Sequence, residues 1–346
     1  MAISRDKLII GGVVVLGGLS LLVYKQAQKD DSLGKPTFSE ADFPTIAAPD
    51  DVDKISLTNG DKPEVVLHKV ADPSGAPTDA GMATKWEVVK PVQAEANQQT
   101  AKDLVANLHA LKVESKINLT LDDTVRKDKQ LDPAHAVHVV AWNGADKKVD
   151  ESFGKSGTAG QLVVVADKPD AVWAAKGYSA FLYTKEAKDF RNKEILKFDD
   201  SAATEATIVN SHGTFVFAKS GDKWTATFDK KPLARFDESK VKDMLRAYKT
   251  LTADDFGDGK TAEETGLDKP EATVSIVVGG APVVVDVGKI ATGANRWAKK
   301  SDRETIYQLP SFAADWVTSD AVKYQTVGDG GAPAAKPAKP KTASKK

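Results

Sequence analysis

Two stretches decide the fold, Lys85-Trp86-Glu87-Val88 and Lys223-Trp224-Thr225-Ala226. Each closes a strand-like run, and each is followed by apolar residues at helical spacing. Residues 100–111 carry Leu104, Val105, Leu108 and Leu111, and residues 239–251 carry Val241, Met244, Leu245, Tyr248 and Leu251. Intervals of three and four residues place each set on one helix face. Further on, Leu131-Asp132-Pro133 is answered by Leu267-Asp268-Lys269-Pro270. Both lead into a strand, at 135–142 and 272–278, and then into a second strand ending in Gly154-Lys155 or Gly288-Lys289. The same order recurs at an offset of about 130 residues, the mark of a diverged internal repeat. Asn143-Gly144 and Gly279-Gly280 supply hairpin turns between the paired strands. Strands joined so tightly run antiparallel. The expected class is α+β: an N-terminal transmembrane helix followed by two repeated, mainly antiparallel sheet-plus-helix units, at residues 51–200 and 201–327.

Outside the repeats the character of the chain changes. Residues 8–24 form a run of 17 without a charge, bracketed by Arg5 and Lys7 before and Lys25 after. At about 1.5 Å per residue it covers most of a roughly 30 Å hydrocarbon core. A cleavable signal peptide shares the basic start and apolar run, but no small-x-small cleavage pattern follows Tyr24, so a retained anchor over residues 1–25 is expected. Positive charge nearly ties across the segment; the very short leading tail is expected in the cytoplasm and the rest outside it. Gly11, Gly12, Gly17 and Gly18 lack GxxxG spacing, so they do not argue for helix pairing. Residues 26–50 read as a linker, and residues 328–346 as a disordered Ala/Pro/Lys tail.

Composition removes several function classes. The 346 residues hold 48 Lys and Arg against 49 Asp and Glu, so no basic field concentrates nucleic acid. There is no cysteine, which excludes disulfides, thiolate nucleophiles, Cys-bearing zinc sites and lipid attachment through a terminal Cys.

The remaining motifs do not assemble a reaction. Gly154-Lys155-Ser156-Gly157-Thr158 looks like the end of a phosphate loop, yet Val149 stands where its first Gly is needed, so a turn between strands is expected. His135 and His138 fall on an expected strand, where side chains three apart point to opposite faces and do not share an ion. The carboxylate pairs Asp122-Asp123, Asp199-Asp200, Asp254-Asp255 and Glu263-Glu264 read as solvated loop residues. Trp86 and Trp224 recur at matching places and read as packing anchors between strand and helix. Asn118-Leu119-Thr120 matches a glycosylation triplet by pattern alone. No catalytic, cofactor-binding or metal-ligating residue is assigned, and no cofactor is expected.

The Lys-Trp strand, the helix after it, the Leu-Asp-x-Pro entry and the run Asp189-Phe190-Arg191-Asn192-Lys193-Glu194-Ile195-Leu196 together resemble the bacterial domain of unknown function 4340 family, once per copy over residues 50–325. In that family the last run usually reads as a Leu-Arg-Asp-Lys-like segment. Phe190-Arg191-Asn192-Lys193 departs slightly, and Asp315-Trp316-Val317 in the second copy lacks the Arg. The resemblance implies a membrane-anchored envelope protein considered together with ABC-type transport systems and gliding-motility-like auxiliary proteins, with no known catalytic residue.

The expectation is therefore a non-enzymatic extracytoplasmic accessory or scaffold of the bacterial inner membrane. It is held in the bilayer by residues 8–24, meets a protein partner in the same membrane and does not bind nucleic acid. A ligand-binding module with a cleft between the repeats, taking a small molecule or wall polymer, is the alternative, and an acid–base enzyme the third reading.

Overall fold

The structure, a computed structural model, describes residues 43–75 and 82–326. The expected anchor at 8–24, most of the expected linker and the tail at 328–346 lie outside the described residues. Among the described residues no helix is long and apolar enough to cross a membrane.

The chain divides into two compact units, with the boundary between Asn192 and Lys193. In the first, strands β1 (Lys54–Asn59), β2 (Val65–Ala71), β3 (Thr84–Lys90) and β4 (Ala94–Glu95) precede helix α1 (Gln98–Ala110). Strand β5 (Lys112–Ile117), helix α2 (Asp123–Asp128), and strands β6 (Val137–Asn143), β7 (Asp146–Gly157), β8 (Gly160–Val165) and β9 (Val172–Lys176) follow. Two single-turn helices, α3 (Ala180–Tyr183) and α4 (Ala187–Phe190), close the unit. The sheet order is β4-β3-β2-β1-β6-β7-β8-β9-β5, antiparallel throughout.

The second unit repeats this path. After β10 (Glu194–Lys197) come β11 (Ala203–Asn210), β12 (Gly213–Ser220), β13 (Lys223–Phe228) and β14 (Lys231–Pro232). Helix α5 (Glu238–Tyr248), β15 (Thr250–Thr252), β16 (Asp255–Phe256) and α6 (Ala262–Thr265) lead to β17 (Ala272–Val278), β18 (Ala281–Ile290), β19 (Arg296–Lys300), β20 (Ile306–Leu309) and α7 (Ser311–Thr318). Its sheet runs β14-β13-β12-β11-β17-β18-β19-β20-β16, the same order element for element. The antiparallel α+β class holds, and both expected hairpins form, with Asn143 opposite Asp146 and Val278 opposite Ala281. In the second hairpin Gly279 and Gly280 both have positive φ, which a non-glycine residue adopts only with strain.

Each unit has its own core, between one sheet face and one long helix. Helix α1 starts at Asn97, whose side chain accepts from the Thr100 N–H, and buries Ala101, Leu104, Val105 and Leu108. Asp237 caps α5, which buries Val241, Met244, Leu245 and Tyr248. Burying a Leu or Val side chain contributes about 1.5–3 kcal/mol, so the periodic face and not intrinsic propensity holds these helices in place.

Several boundaries move. The folded unit reaches back into the expected linker: Phe43 and Ile46 are buried in the first core, Phe43 meeting Trp173 edge-on at 6.0 Å. Residues 194–197 belong to the second unit and not the first, because β10 pairs with β15. Leu251 lies on that strand and not on the helix, which ends at Tyr248. His135 sits in a turn, where the Asp132 carbonyl accepts from the His135 and Ala136 N–H groups, and the strand begins only at Val137. Gly154, Lys155, Ser156 and Gly157 are the end of β7, and the turn falls after them.

Candidate functional site

The repeated motifs prove to be contacts that hold the frame. The Trp86 N–H donates to Gln98 Oε1 at 2.8 Å, and Gln98 Nε2 returns a bond to the Trp86 carbonyl at 2.9 Å. In the second unit the Trp224 N–H donates to Glu238 Oε2 at 3.2 Å. In both, the first residue of the long helix grips the backbone of a buried tryptophan, so the helix cannot slide along the sheet. Each tryptophan also faces a cross-strand lysine, Lys69 and Lys219.

The Leu-Asp and Gly-Lys motifs meet one another. Gln130 and Gly266, each before the repeated Leu, both have positive φ and turn the chain back after α2 and α6. The turn then lies on the repeated strand glycine. A Cβ at Gly154 would stand 2.5 Å from the Lys129 carbonyl oxygen, and one at Gly288 would stand 2.2 Å from that of Thr265. Glycine is required at both positions for close backbone approach and not for turn geometry.

What the units do not share lies inside. Glu151 on β7 is 1% exposed, and its Oε2 has no hydrogen-bond partner. Its cross-strand neighbours are Val139 and Val165. Two residues on, Phe153 stacks with Tyr178 at 4.5 Å and lies 5.6 Å from Tyr183, which stacks on Tyr178 at 4.7 Å. The Tyr183 hydroxyl is buried and also unpartnered. Burial, with a smaller repulsion from Asp150, pushes the Glu151 carboxyl up to about 8, and burial pushes both tyrosines above their ordinary value. In the second unit Val285 stands three residues before Gly288, as Glu151 stands three before Gly154, and it is fully buried. There Tyr248 gives its hydroxyl to the Ala313 carbonyl at 3.0 Å, and Tyr324 gives its own to that of Trp316.

Sequence reasoning passed over Glu151, reading Asp150-Glu151 only as strand. A signal was present: Val149, Glu151 and Phe153 alternate, which places the carboxyl on the apolar face. Asp150, on the other face, is held below the ordinary carboxylate range: burial raises it, but hydrogen bonds from Lys147 and His138 outweigh that.

The residues weighed for chemistry are occupied separately. His135 Nδ1 lies 2.8 Å from Asp132, and His138 Nε2 lies 2.7 Å from Asp150. Asp122 caps α2, Asp199 accepts from the Ser201 N–H, Asp200 pairs with Lys249 at 3.3 Å, Asp254 accepts from Asn295, and Glu264 closes a capping box with Thr261. Among the described residues no group of three or more His, Asp or Glu side chains is placed to hold a metal.

On the surface, the first helix after the last meander strand exposes a phenylalanine in both units, Phe181 at 72% and Phe312 at 59%. Phe312 and Ile290, itself 60% exposed, flank a groove of about 540 Å³ bordered by Arg296 and Asp315. The first unit has a depression of about 590 Å³ between Phe43 and the edge strand β5. That edge is guarded by Lys112, Glu114 and Lys116 alternating outward, the usual protection against strand addition.

These features define an α+β protein of two topologically equivalent meander units with a buried carboxyl at an interior position of one of them. The chain belongs to the domain of unknown function family DUF4340, whose model matches residues 86–270, 185 of the 346 residues. The match is a single span crossing from Trp86 of the first unit to Pro270 of the second; the repeat itself rests on strand order. No curated protein and no solved structure matches.

Proposed function

We propose that this chain is a membrane-anchored, extracytoplasmic accessory or scaffold protein of the bacterial envelope, associated with an ABC-type transport system and not itself an enzyme. Each unit is read as one copy of the family's fold, and the second presents a surface to a protein partner in the same membrane. The observation that carries this reading is the groove between Ile290 and Phe312, where two large apolar side chains stand in solvent beside charged residues that already have partners, Arg296 with Glu271 and Asp315 with Lys323. Exposed apolar patches rimmed by polar groups mark protein contacts. Family membership and the apolar run at residues 8–24 support the address.

The test is mild-detergent purification of tagged full-length protein from native membranes, beside Phe312→Glu. Recovery of a transporter membrane subunit with the native chain, and its loss with Phe312→Glu at unchanged thermal stability, is the expected result. Recovery of no membrane partner by either form removes the reading. A second reading, ligand binding, draws support from the 590 Å³ depression beside Phe43, whose volume suits a small molecule.

A further inference from the structure

We propose that Glu151 is a pH-sensitive weak point built into the first unit alone: its carboxyl is packed neutral against the α3 segment, and its ionisation drives that segment off the core. The geometry supplies the reason. The side chain projects from the middle of β7 onto the apolar face, with Val149 and Phe153 on either side and Val139 and Val165 across from it. Nothing in this setting solvates a carboxylate, and a buried charge without a partner is among the costliest groups a core can hold.

The groups that face it are few. On its own strand Asp150 is a like charge, turned outward to His138 and Lys147. The strands on either side present valines. From the α3 segment come Tyr178 and Tyr183, both neutral through the physiological range. The buried Arg191 bridges through its backbone to Ala96, beside β4 at the sheet edge five strands from β7.

Of the elements near Glu151, α3 is a single turn, tied to α1 by Asn107, which accepts from the Ser179 N–H and donates to the Gly177 carbonyl. It is four residues long, has no side-chain cap, and exposes Phe181. Water therefore reaches the carboxylate most cheaply by lifting α3, whereas opening the sheet would break ladder bonds on both sides of β7.

The sign follows from linkage. A carboxyl raised on folding gives stability that is complete below its unfolded value near 4.5 and is lost as pH rises to about 8. Within that window each pH unit shifts the closed-to-open ratio about tenfold toward open. The second unit, with Val285 in the equivalent place, has no such dependence.

Peptide-resolved hydrogen exchange on the full chain tests this, with times matched for intrinsic exchange from pH 5 to 9. Protection of residues 178–184 is expected to fall about tenfold per pH unit up to about pH 8 in the native chain. In Glu151→Val and Glu151→Gln it is expected to be independent of pH, with peptides of β17 and β18 unchanged in all three. A native profile flat in pH, or the same slope in either variant, overturns the proposal. Glu151→Gln keeps the side-chain shape, so a packing fault in the Val variant does not decide the outcome.

Discussion

Three residues before a required glycine, the first unit buries a glutamate and the second a valine. Near that position the first unit stacks Tyr178 on Phe153 and Tyr183 on Tyr178, with the Tyr183 hydroxyl unpartnered, while elsewhere in its core the second unit gives the Tyr248 and Tyr324 hydroxyls to backbone carbonyls. Yet nine strands run in the same order in both sheets. The frame is specified by backbone contacts: the helix residue gripping the tryptophan, and the glycine under the turn. Those contacts are indifferent to what fills the core, so the interiors diverged while the topology did not.

The strongest way to break this comparison is to move the charge. Val285→Glu is expected to cost the second unit about 3–5 kcal/mol at pH 8 while its cross-strand neighbour Lys300 stays paired with Asp302, and less if Lys300 turns to the new carboxylate. Its folded pKa would be raised, so stability is fullest below the ordinary carboxylate range and lost as pH rises. Urea unfolding at pH 5 and pH 8 reads this, and equal loss at both would show that shape and not charge is at issue.

Next in size is the frame itself. Gly154→Ala and Gly288→Ala each force a backbone carbonyl to retreat, at about 1–3 kcal/mol. The larger effect is expected at Gly288, where the approach is closer. Denaturant midpoints of the two variants rank them, and a neutral effect at both would remove the glycine contact as a determinant of the fold.

The smallest effect sharpens the independence of the units. Asn97→Ala removes the cap of α1 and is expected to cost about 1 kcal/mol. Hydrogen exchange should show lowered protection in α1 with α5 unchanged; equal loss in both would mean the units unfold as one.

Much of the frame was legible in the chain. The helix faces at Leu104 and Val241 follow from intervals of three and four, and the hairpins from Asn143-Gly144 and Gly279-Gly280, because these signals are local. Phe43 and Ile46 looked like linker since two apolar residues among Pro, Ala and Asp form no period; only the cavity they fill reveals them. Residues 194–197 were credited to the first unit because nothing local tells a strand which partner it will find. The groove at Ile290 and Phe312 joins the ends of β18 and α7, about twenty residues apart in sequence.

The order of elements, their antiparallel sense and the existence of two equivalent units were determined by the sequence alone, since periodicity, turn chemistry and repetition act over a few residues at a time. That Glu151 is sealed from water, that the Gly-Lys motif lies beneath the Leu-Asp turn, and that the first unit begins by Phe43 were decided by tertiary structure. Each depends on which distant surfaces meet, and burial is a property of that meeting and not of any residue alone.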